Sequence, residues 1–166
     1  MPTLIKGNEI AQNTYVRIDA VDGHLSLPMQ DVLVGLSTWQ QHREQLLTHP
    51  LRKGVFLEAD QFAENLAQDC QQLDLIAINF PAFADGRGYS TAYLLRTRYG
   101  YTGELRAMGD VFKDTLFYQR RVGFDAHVLP ADKDATVALK GLQDFAESYQ
   151  HSADNKASVY ARRRNA

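Results

Sequence analysis

Charged residues flanked by glycines follow a strongly apolar run near the middle of the chain. The segment 79–90 reads Asn-Phe-Pro-Ala-Phe-Ala-Asp-Gly-Arg-Gly-Tyr-Ser, after the apolar stretch 73–78 and before a helix-like stretch. Short polar loops between a strand and a helix are where α/β proteins place ligand-binding groups. Because glycine allows tight backbone bends, Asp85 and Arg87 can be held close together there. The pattern indicates a binding site at this point of the chain.

A second short strand, within residues 103–111, also ends in a glycine and an aspartate, Asp110. In parallel α/β sheets, ligands bind beyond the carboxyl ends of the strands. Both polar segments follow predicted strands, so we expect them to meet at one edge of the sheet. The candidate anion- or partner-binding residues at that edge are Asn79, Asp85, Arg87, Tyr89 and Asp110.

Arg106 is the unusual member of this group, because it lies inside a strand that should be mostly buried. A buried arginine needs a partner or a ligand. Asp110, Asp85 or Glu104 could supply that partner, in an ion pair that braces two loops. Alternatively, Arg87 and Arg106 could donate forked hydrogen bonds to a small oxyanion such as sulfite, sulfate or phosphate. An interface with another protein is the third alternative.

Motifs for cofactors and metals are not evident in the sequence. Thr91 stands where a dinucleotide fingerprint requires its third glycine. The single cysteine, Cys70, excludes an internal disulfide and a four-cysteine iron–sulfur cluster, and its place on an apolar stripe predicts a buried, inert thiol. His127 is interpreted as a half-exposed strand residue. We therefore identify no cofactor and no metal; a flavin, and a metal held by Asp85 and Asp110, stay open.

Composition limits the classes of protein to which the chain can belong. Its 166 residues are 45% hydrophobic and 23% charged, with a net charge of −2. These values are ordinary for one soluble domain and favour neither nucleic acid nor a membrane surface as a partner. Apolar runs stay well short of the ~20 residues that span a bilayer, and residues 1–9 do not form a secretory signal. We expect a cytoplasmic protein.

Alternating strands and helices must position these residues. Ser37 or Thr38, Asp60 and Ser90 are predicted to cap helices. Strand–helix alternation favours a mainly parallel α/β sheet with right-handed crossovers, either an open three-layer sheet or half of a (β/α) barrel. We predict strands at 15–18, 31–36, 55–57, 75–78, 104–108 and 124–129, and helices at 39–48, 61–73, 90–99, 111–122 and 132–149.

One domain is predicted over residues 1–149, with an irregular or β-rich lead-in over 1–50. Residues 150–166 are polar and are predicted to form a flexible basic tail. Near its end the tail carries Arg162, Arg163 and Arg164. These three arginines are either solvated or dock on an acidic partner.

Several short motifs of the chain are similar to those of one bacterial family. They are Asp-Gly-Arg-Gly-Tyr-Ser at 85–90, Leu-Leu-Arg at 94–96, Arg-Tyr-Gly-Tyr at 98–101, Gly-Glu-Leu-Arg-Ala at 103–107, Gly-Asp-Val at 109–111 and Gly-Phe-Asp-Ala at 123–126. The chain resembles the bacterial domain of unknown function number 934, most densely over 73–129. Genes of that family commonly lie beside the gene for assimilatory sulfite reductase, and its members are often labelled oxidoreductases involved in sulfite reduction.

The resemblance implies an accessory or partner protein in assimilatory sulfite reduction, with sulfite reductase as the partner. Sulfite reduction transfers several electrons and needs metal cofactors, which a chain with one cysteine cannot hold on its own thiolates. The alternative is a small-anion-binding enzyme or oxidoreductase that uses Arg87, Arg106 and Asp110, with Asp110 as a base. The oligomeric state is left open, and a homodimer is one alternative.

Overall fold

Eight strands form one sheet in the computed structural model, which describes residues 2–142 and 150–154. Four α-helices lie within the same described residues, and none is long and apolar enough to cross a membrane. The strands are β1 (Thr3–Lys6), β2 (Glu9–Ala11), β3 (Tyr15–Ile18), β4 (Asp31–Gly35), β5 (Lys53–Leu57), β6 (Leu75–Phe80), β7 (Glu104–Gly109) and β8 (Ala126–Leu129). The helices are α1 (Leu36–Leu47), α2 (Arg87–Thr97), α3 (Lys113–Val122) and α4 (Ala135–Gly141).

The sheet keeps most of its strands in chain order. Across it the order is β2-β1-β8-β7-β6-β5-β4-β3. From β3 to β8 each strand pairs in parallel with the next, whereas β1 pairs antiparallel with both β8 and β2. The lead-in therefore supplies both edges of the sheet. Within it, β1 and β2 were not predicted individually.

All the helices pack on the same face of this sheet. Right-handed crossovers between strands that are neighbours in chain order place each connection on one side. Accordingly, one core cluster contains Trp39 of α1, Leu95 of α2, Leu116 of α3 and Ala138 of α4. The mainly parallel α/β sheet is confirmed. Its helices make it a half-barrel, and the open three-layer alternative, which needs helices on both faces, is wrong.

The face of the sheet opposite the described helices, called the helix-free face below, carries a second, smaller apolar cluster. Its buried members are Tyr15, Leu33, Phe56, Leu75 and Ala77. All five residues lie on strands, and charged side chains complete the cover of this face. The guanidinium of Arg17 lies 4.4 Å from the centre of the Phe56 ring, a cation–π contact. Such cover explains why β6 is apolar from Leu75 to Ile78 although the described helices cover only one of its faces.

The helix predicted over 61–73 is wrong. The segment forms two 3₁₀ turns instead, Ala63–Leu66 and Cys70–Gln72. Asn65 Oδ1 accepts a hydrogen bond from the Phe62 amide at 2.9 Å and so caps the start of the first turn. The apolar spacing was nevertheless informative, because Leu66 and Cys70 are fully buried.

Two predicted helix starts are also wrong. α1 begins after Gly35, not at Ser37 or Thr38. α2 begins at Arg87, three residues before Ser90, so the supposed glycine loop is the first turn of a helix. Position 88 in that turn is a glycine because a Cβ there would lie 2.7 Å from the Phe80 ring. The absence of a side chain lets α2 approach β6 closely.

α4 follows Asp134, whose carboxylate accepts hydrogen bonds from the amides of Thr136 and Val137. This cap lies two residues after Asp132, the predicted start of the helix. The remainder of that prediction, over 143–149, lies outside the described residues.

Gly109 is the glycine whose replacement we expect to cost most. Its φ of +94° is unfavourable for other residues, and a Cβ would overlap the Phe80 carbonyl and lie 2.6 Å from Asn79 Oδ1. Gly109→Ala should lower the free energy of urea unfolding by about 2 kcal/mol or more. The control is Gly86→Ala, with a φ of −86° and open space around its Cβ. Equal stability of the two variants would contradict this account.

Candidate functional site

Loop 81–86 leads from the carboxyl end of β6 into α2, and it is tied to the segment between β7 and α3. Asp110 Oδ2 accepts a hydrogen bond from the Phe83 amide at 2.9 Å. The amide of Asp110 in turn donates to the Phe80 carbonyl at 2.7 Å. The rings of Phe83 and Phe112 pack with their centres 5.1 Å apart. The structure therefore brings Asp110 and the glycine-flanked segment together at one edge, as the strand-end rule predicts.

Asp85 and Arg87 form a closed pair at this edge. The guanidinium donates from Nε to Asp85 Oδ1 at 3.0 Å and from Nη2 to Oδ2 at 2.6 Å. These side-chain hydrogen bonds, with one from the Arg87 amide, lower the pKa of Asp85 to about 2. The forked donors of Arg87 are thus occupied by a carboxylate of its own loop. The pair is half-exposed, and we assign it a local ordering role.

Asn79 and Tyr89 take part in separate contacts. Asn79 alternates with the helix-facing residues of β6 and donates from Nδ2 to Glu58 Oε2 at 2.7 Å. Tyr89 packs on the helix side, with its ring centre 5.1 Å from that of Phe80 and 5.3 Å from that of Tyr118. Burial raises the pKa of the Tyr89 hydroxyl. Asn79 and Tyr89 therefore lie on opposite faces of the sheet.

Arg106 lies on the helix-free face, where it is almost completely buried. Its side chain is 3% exposed and donates from Nε to Glu104 Oε1 at 2.7 Å and from Nη1 to Asn13 Oδ1 at 2.9 Å. Of the three partners expected from the sequence, Glu104 is the one that binds it. Arg87 belongs to a helix on the other face. The structure does not bring the two arginines together as one anion site.

Glu104 links this arginine to the antiparallel edge of the sheet. Its second oxygen accepts from Lys6 Nζ of β1 at 2.8 Å. Burial alone would raise the pKa of the Glu104 carboxyl. The hydrogen bond from Lys6 and the neighbouring Arg106 charge outweigh burial, so the pKa lies below its ordinary value. Glu104 is therefore ionised at neutral pH and pairs with two cations, Lys6 and Arg106.

The histidine interpretation is wrong in one respect. His127 is not half-exposed: it is 1% exposed, on the helix side of β8. Burial, with the charge of Arg120, lowers its pKa to about 4, so the ring is neutral near pH 7. Neither ring nitrogen has a hydrogen-bond partner within residues 2–142 and 150–154.

Cys70 is buried, as predicted, and burial raises the pKa of its thiol. Across the described part of the chain, three or more histidine, cysteine, aspartate or glutamate side chains nowhere gather as a metal site would require. Arg162, Arg163 and Arg164 lie outside the described residues. Asp154, which lies earlier in the same tail, is described, and it pairs with Arg121 of α3.

A cavity of about 330 Å³ lies between the starts of α3 and α4, beside Asp110. Sequence reasoning missed it, because the strand-end rule was applied to β6 and β7 but not to the segment after β8. That segment contains Lys133, whereas Lys113 opens α3. The lining residues are Asp110, Phe112, Lys113, Lys133, Asp134, Val137 and Ala138.

Removing the arginine of the buried pair should destabilise the fold strongly. Arg106→Met leaves the Glu104 carboxylate buried with Lys6 alone, at an expected cost of about 3 kcal/mol in urea unfolding. Adding Glu104→Gln should recover part of that loss. The contribution of Glu104 is present above its ordinary pKa of 4.5 and is lost as the pH falls through its lower folded value. A loss below about 1 kcal/mol for Arg106→Met would contradict this role.

Removing the Asp110 carboxylate should release the loop without unfolding the domain. In Asp110→Ala the Phe83 amide loses a charge-assisted hydrogen bond, so its hydrogen exchange should accelerate about tenfold or more. Asp114→Ala, which removes an exposed carboxylate of α3, is the control and should leave this amide unchanged. Unchanged exchange in Asp110→Ala would show that other contacts hold the loop.

Comparison with known proteins gives a family but no function. Neither the curated proteins nor the solved structures contain a significant match. A family described as bacterial proteins of unknown function (DUF934) matches residues 54–160, which include the loop, Asp110 and the cavity. That range covers more than half of the 166 residues. The chain therefore belongs to the DUF934 family of bacterial proteins.

Proposed function

We propose that this protein is an accessory partner of assimilatory sulfite reductase, which it binds through exposed aromatic residues at the edge of the half-barrel. The choice of partner rests on the resemblance and on the gene neighbourhood that goes with it. The binding role rests on the composition and geometry of the edge. In this proposal the reductase holds the metal cofactors, since this chain has a single cysteine.

The observation that supports a binding role is an aromatic surface, which we define as Phe83, Tyr89, Tyr93 and Tyr118. Phe83 is 61% exposed and Tyr118 is 59% exposed. Large aromatic side chains bury much area at little entropic cost, and they are enriched at protein interfaces. Tyr89 supports this surface from beneath, because its ring contacts that of Tyr118. The surface spans the loop, α2 and α3.

The charges around this surface are largely satisfied within the chain. Asp85 is paired with Arg87, and Asp110 is bound to the Phe83 amide. These contacts fix the position of Phe83 before any partner arrives. A preorganised contact residue loses less conformational entropy on binding. The edge is therefore better suited to recognition through rings than through free charge.

The alternative of an anion-binding enzyme that uses Arg87, Arg106 and Asp110 has less support. Arg106 is held by Glu104 and Asn13 on the helix-free face. Arg87 is held by its own loop. Neither guanidinium has its forked donors free, so an oxyanion held jointly by Arg87 and Arg106 beside Asp110 is not supported.

Truncating the aromatic surface should weaken the complex with sulfite reductase. We expect Phe83→Ala/Tyr118→Ala to raise the dissociation constant at least tenfold, because two exposed rings at an interface centre commonly contribute that much. Size-exclusion chromatography of the purified pair, followed by calorimetric titration, measures the change. Both side chains are exposed, so the variant should keep its circular dichroism spectrum.

A matched control is Met29→Ala, which removes an apolar side chain that is 77% exposed and lies before β4. It should leave binding unchanged. A chain cut after Asp154 keeps the Arg121 contact and removes the arginine cluster, so weaker binding would add the basic tail to the docking surface. If the intact chain forms no complex with the reductase under any redox condition, the proposal is wrong.

A further inference from the structure

We propose that β3 pairs antiparallel with β3 of a second copy of this chain, so that the protein forms a two-fold dimer. The pairing is centred on Ile18 and places Arg17 of each copy opposite Asp19 of the other. β3 lies at one end of the strand order, so within the described residues no strand pairs with its outer side. The dimer uses none of the aromatic surface and does not depend on a reductase.

The outer side of β3 carries the backbone groups of alternate residues. In a parallel pair, a residue that faces the neighbouring strand bonds to the two residues flanking its register partner, and that partner faces away. The Val32 amide of β4 donates to the Arg52 carbonyl beside β5 at 3.0 Å, so the next residue, Leu33, faces β3. The register partner of Leu33 is Arg17. The backbone N–H and C=O of Arg17 therefore point away from the sheet.

The chain itself covers another outward position of this strand. The Tyr15 amide donates to Asn13 Oδ1, and Asn13 Nδ2 donates to the Tyr15 carbonyl, both at 3.2 Å. Two residues further on, the backbone of Arg17 has no hydrogen-bond partner within residues 2–142 and 150–154. The neighbouring Val16 is 40% exposed although it is apolar. An unpaired edge of this kind is a template for another strand.

Charge and backbone direction together select one register for two copies of β3. Arg17 and Asp19 are exposed, and neither has an ion pair in the described part of the chain. A pairing centred on Arg17 places two arginines opposite each other, and one centred on Asp19 places two aspartates so. A shift by one residue would present groups that are already bound to β4. The pairing centred on Ile18 avoids both faults and forms two opposite-charge pairs.

Side chains on both faces of the strand fit this register. On the helix side, Ile18 of one copy lies opposite Ile18 of the other, and Val16 lies opposite Ala20, so the pairing covers apolar surface. On the helix-free face, the Arg17 guanidinium is 4.4 Å from the centre of the Phe56 ring. Asp19 of the second copy arrives on that same face, because alternate residues of a strand share a face. A stacked guanidinium still has N–H groups to donate to a carboxylate.

Sedimentation equilibrium of the full chain at low salt tests the dimer. We expect a monomer–dimer equilibrium with a dissociation constant of about 0.1 mM or lower. Arg17→Asp and Asp19→Arg should each weaken it tenfold or more, because each places like charges opposite one another. The exchanged variant Arg17→Asp/Asp19→Arg restores opposite charges and should recover the affinity to within about threefold. The matched control is Arg98→Asp, which removes another exposed arginine stacked on a ring and should leave the affinity unchanged.

Hydrogen exchange locates the contact on the chain. The Arg17 amide should gain protection as the protein concentration is raised, whereas the amides of β2, at the opposite edge, should not. A chain that stays monomeric at about 1 mM would overturn the proposal. So would a dimer that the single charge reversals leave intact, since it would use another surface. Single reversals that dissociate the dimer without rescue by the exchanged variant would overturn the register centred on Ile18.

Discussion

The half-barrel depends on how its helix-free face is closed. Sequential right-handed crossovers put the described helices on one side, so none of the helices within residues 2–142 covers the other side of the six parallel strands. The chain meets this constraint with a buried ion pair, Arg106–Glu104, which is extended by Lys6 of β1 and by Asn13. Arg106 also lies 5.4 Å from the Tyr15 ring of β3. The Arg106 guanidinium thereby connects the middle of the sheet to Asn13 and Tyr15, near the start of the chain.

This closure determines which charged groups remain for function. An arginine inside a strand is informative in the sequence, but its charge is used to hold the antiparallel edge onto β7 and β8. Breaking such a pair leaves an uncompensated buried charge, which is far more costly than losing an exposed pair. We therefore place the proposed recognition at the carboxyl edge, where loop 81–86, α3 and α4 begin.

At that edge, two neighbouring features differ in chemistry. The aromatic surface offers rings whose supporting charges are already paired, and this suits a protein partner. The cavity behind Phe112 is lined by Lys113 and Lys133 together with Asp110 and Asp134, so its charges are balanced. Asp110 belongs to both features, since its carboxylate accepts a hydrogen bond from the Phe83 amide and the residue also lines the cavity. Occupation of one feature is therefore in a position to affect the other.

The sequence by itself determined the elements whose signal is local. Apolar runs and glycine punctuation indicated the parallel strands, the Gly123 end of α3 and the edge that carries Asp85, Arg87 and Asp110, because these depend on neighbours along the chain. Tertiary structure decided the rest. The apolar stripe over 61–73, predicted as one helix, forms two 3₁₀ turns. The choice of Glu104 among the candidate partners of Arg106, and its second partner Asn13, emerged only in the fold, which brings residues more than ninety positions apart into contact. Spacing along the chain carries no record of contacts over such a distance, so only the folded sheet could assign that arginine to a structural role.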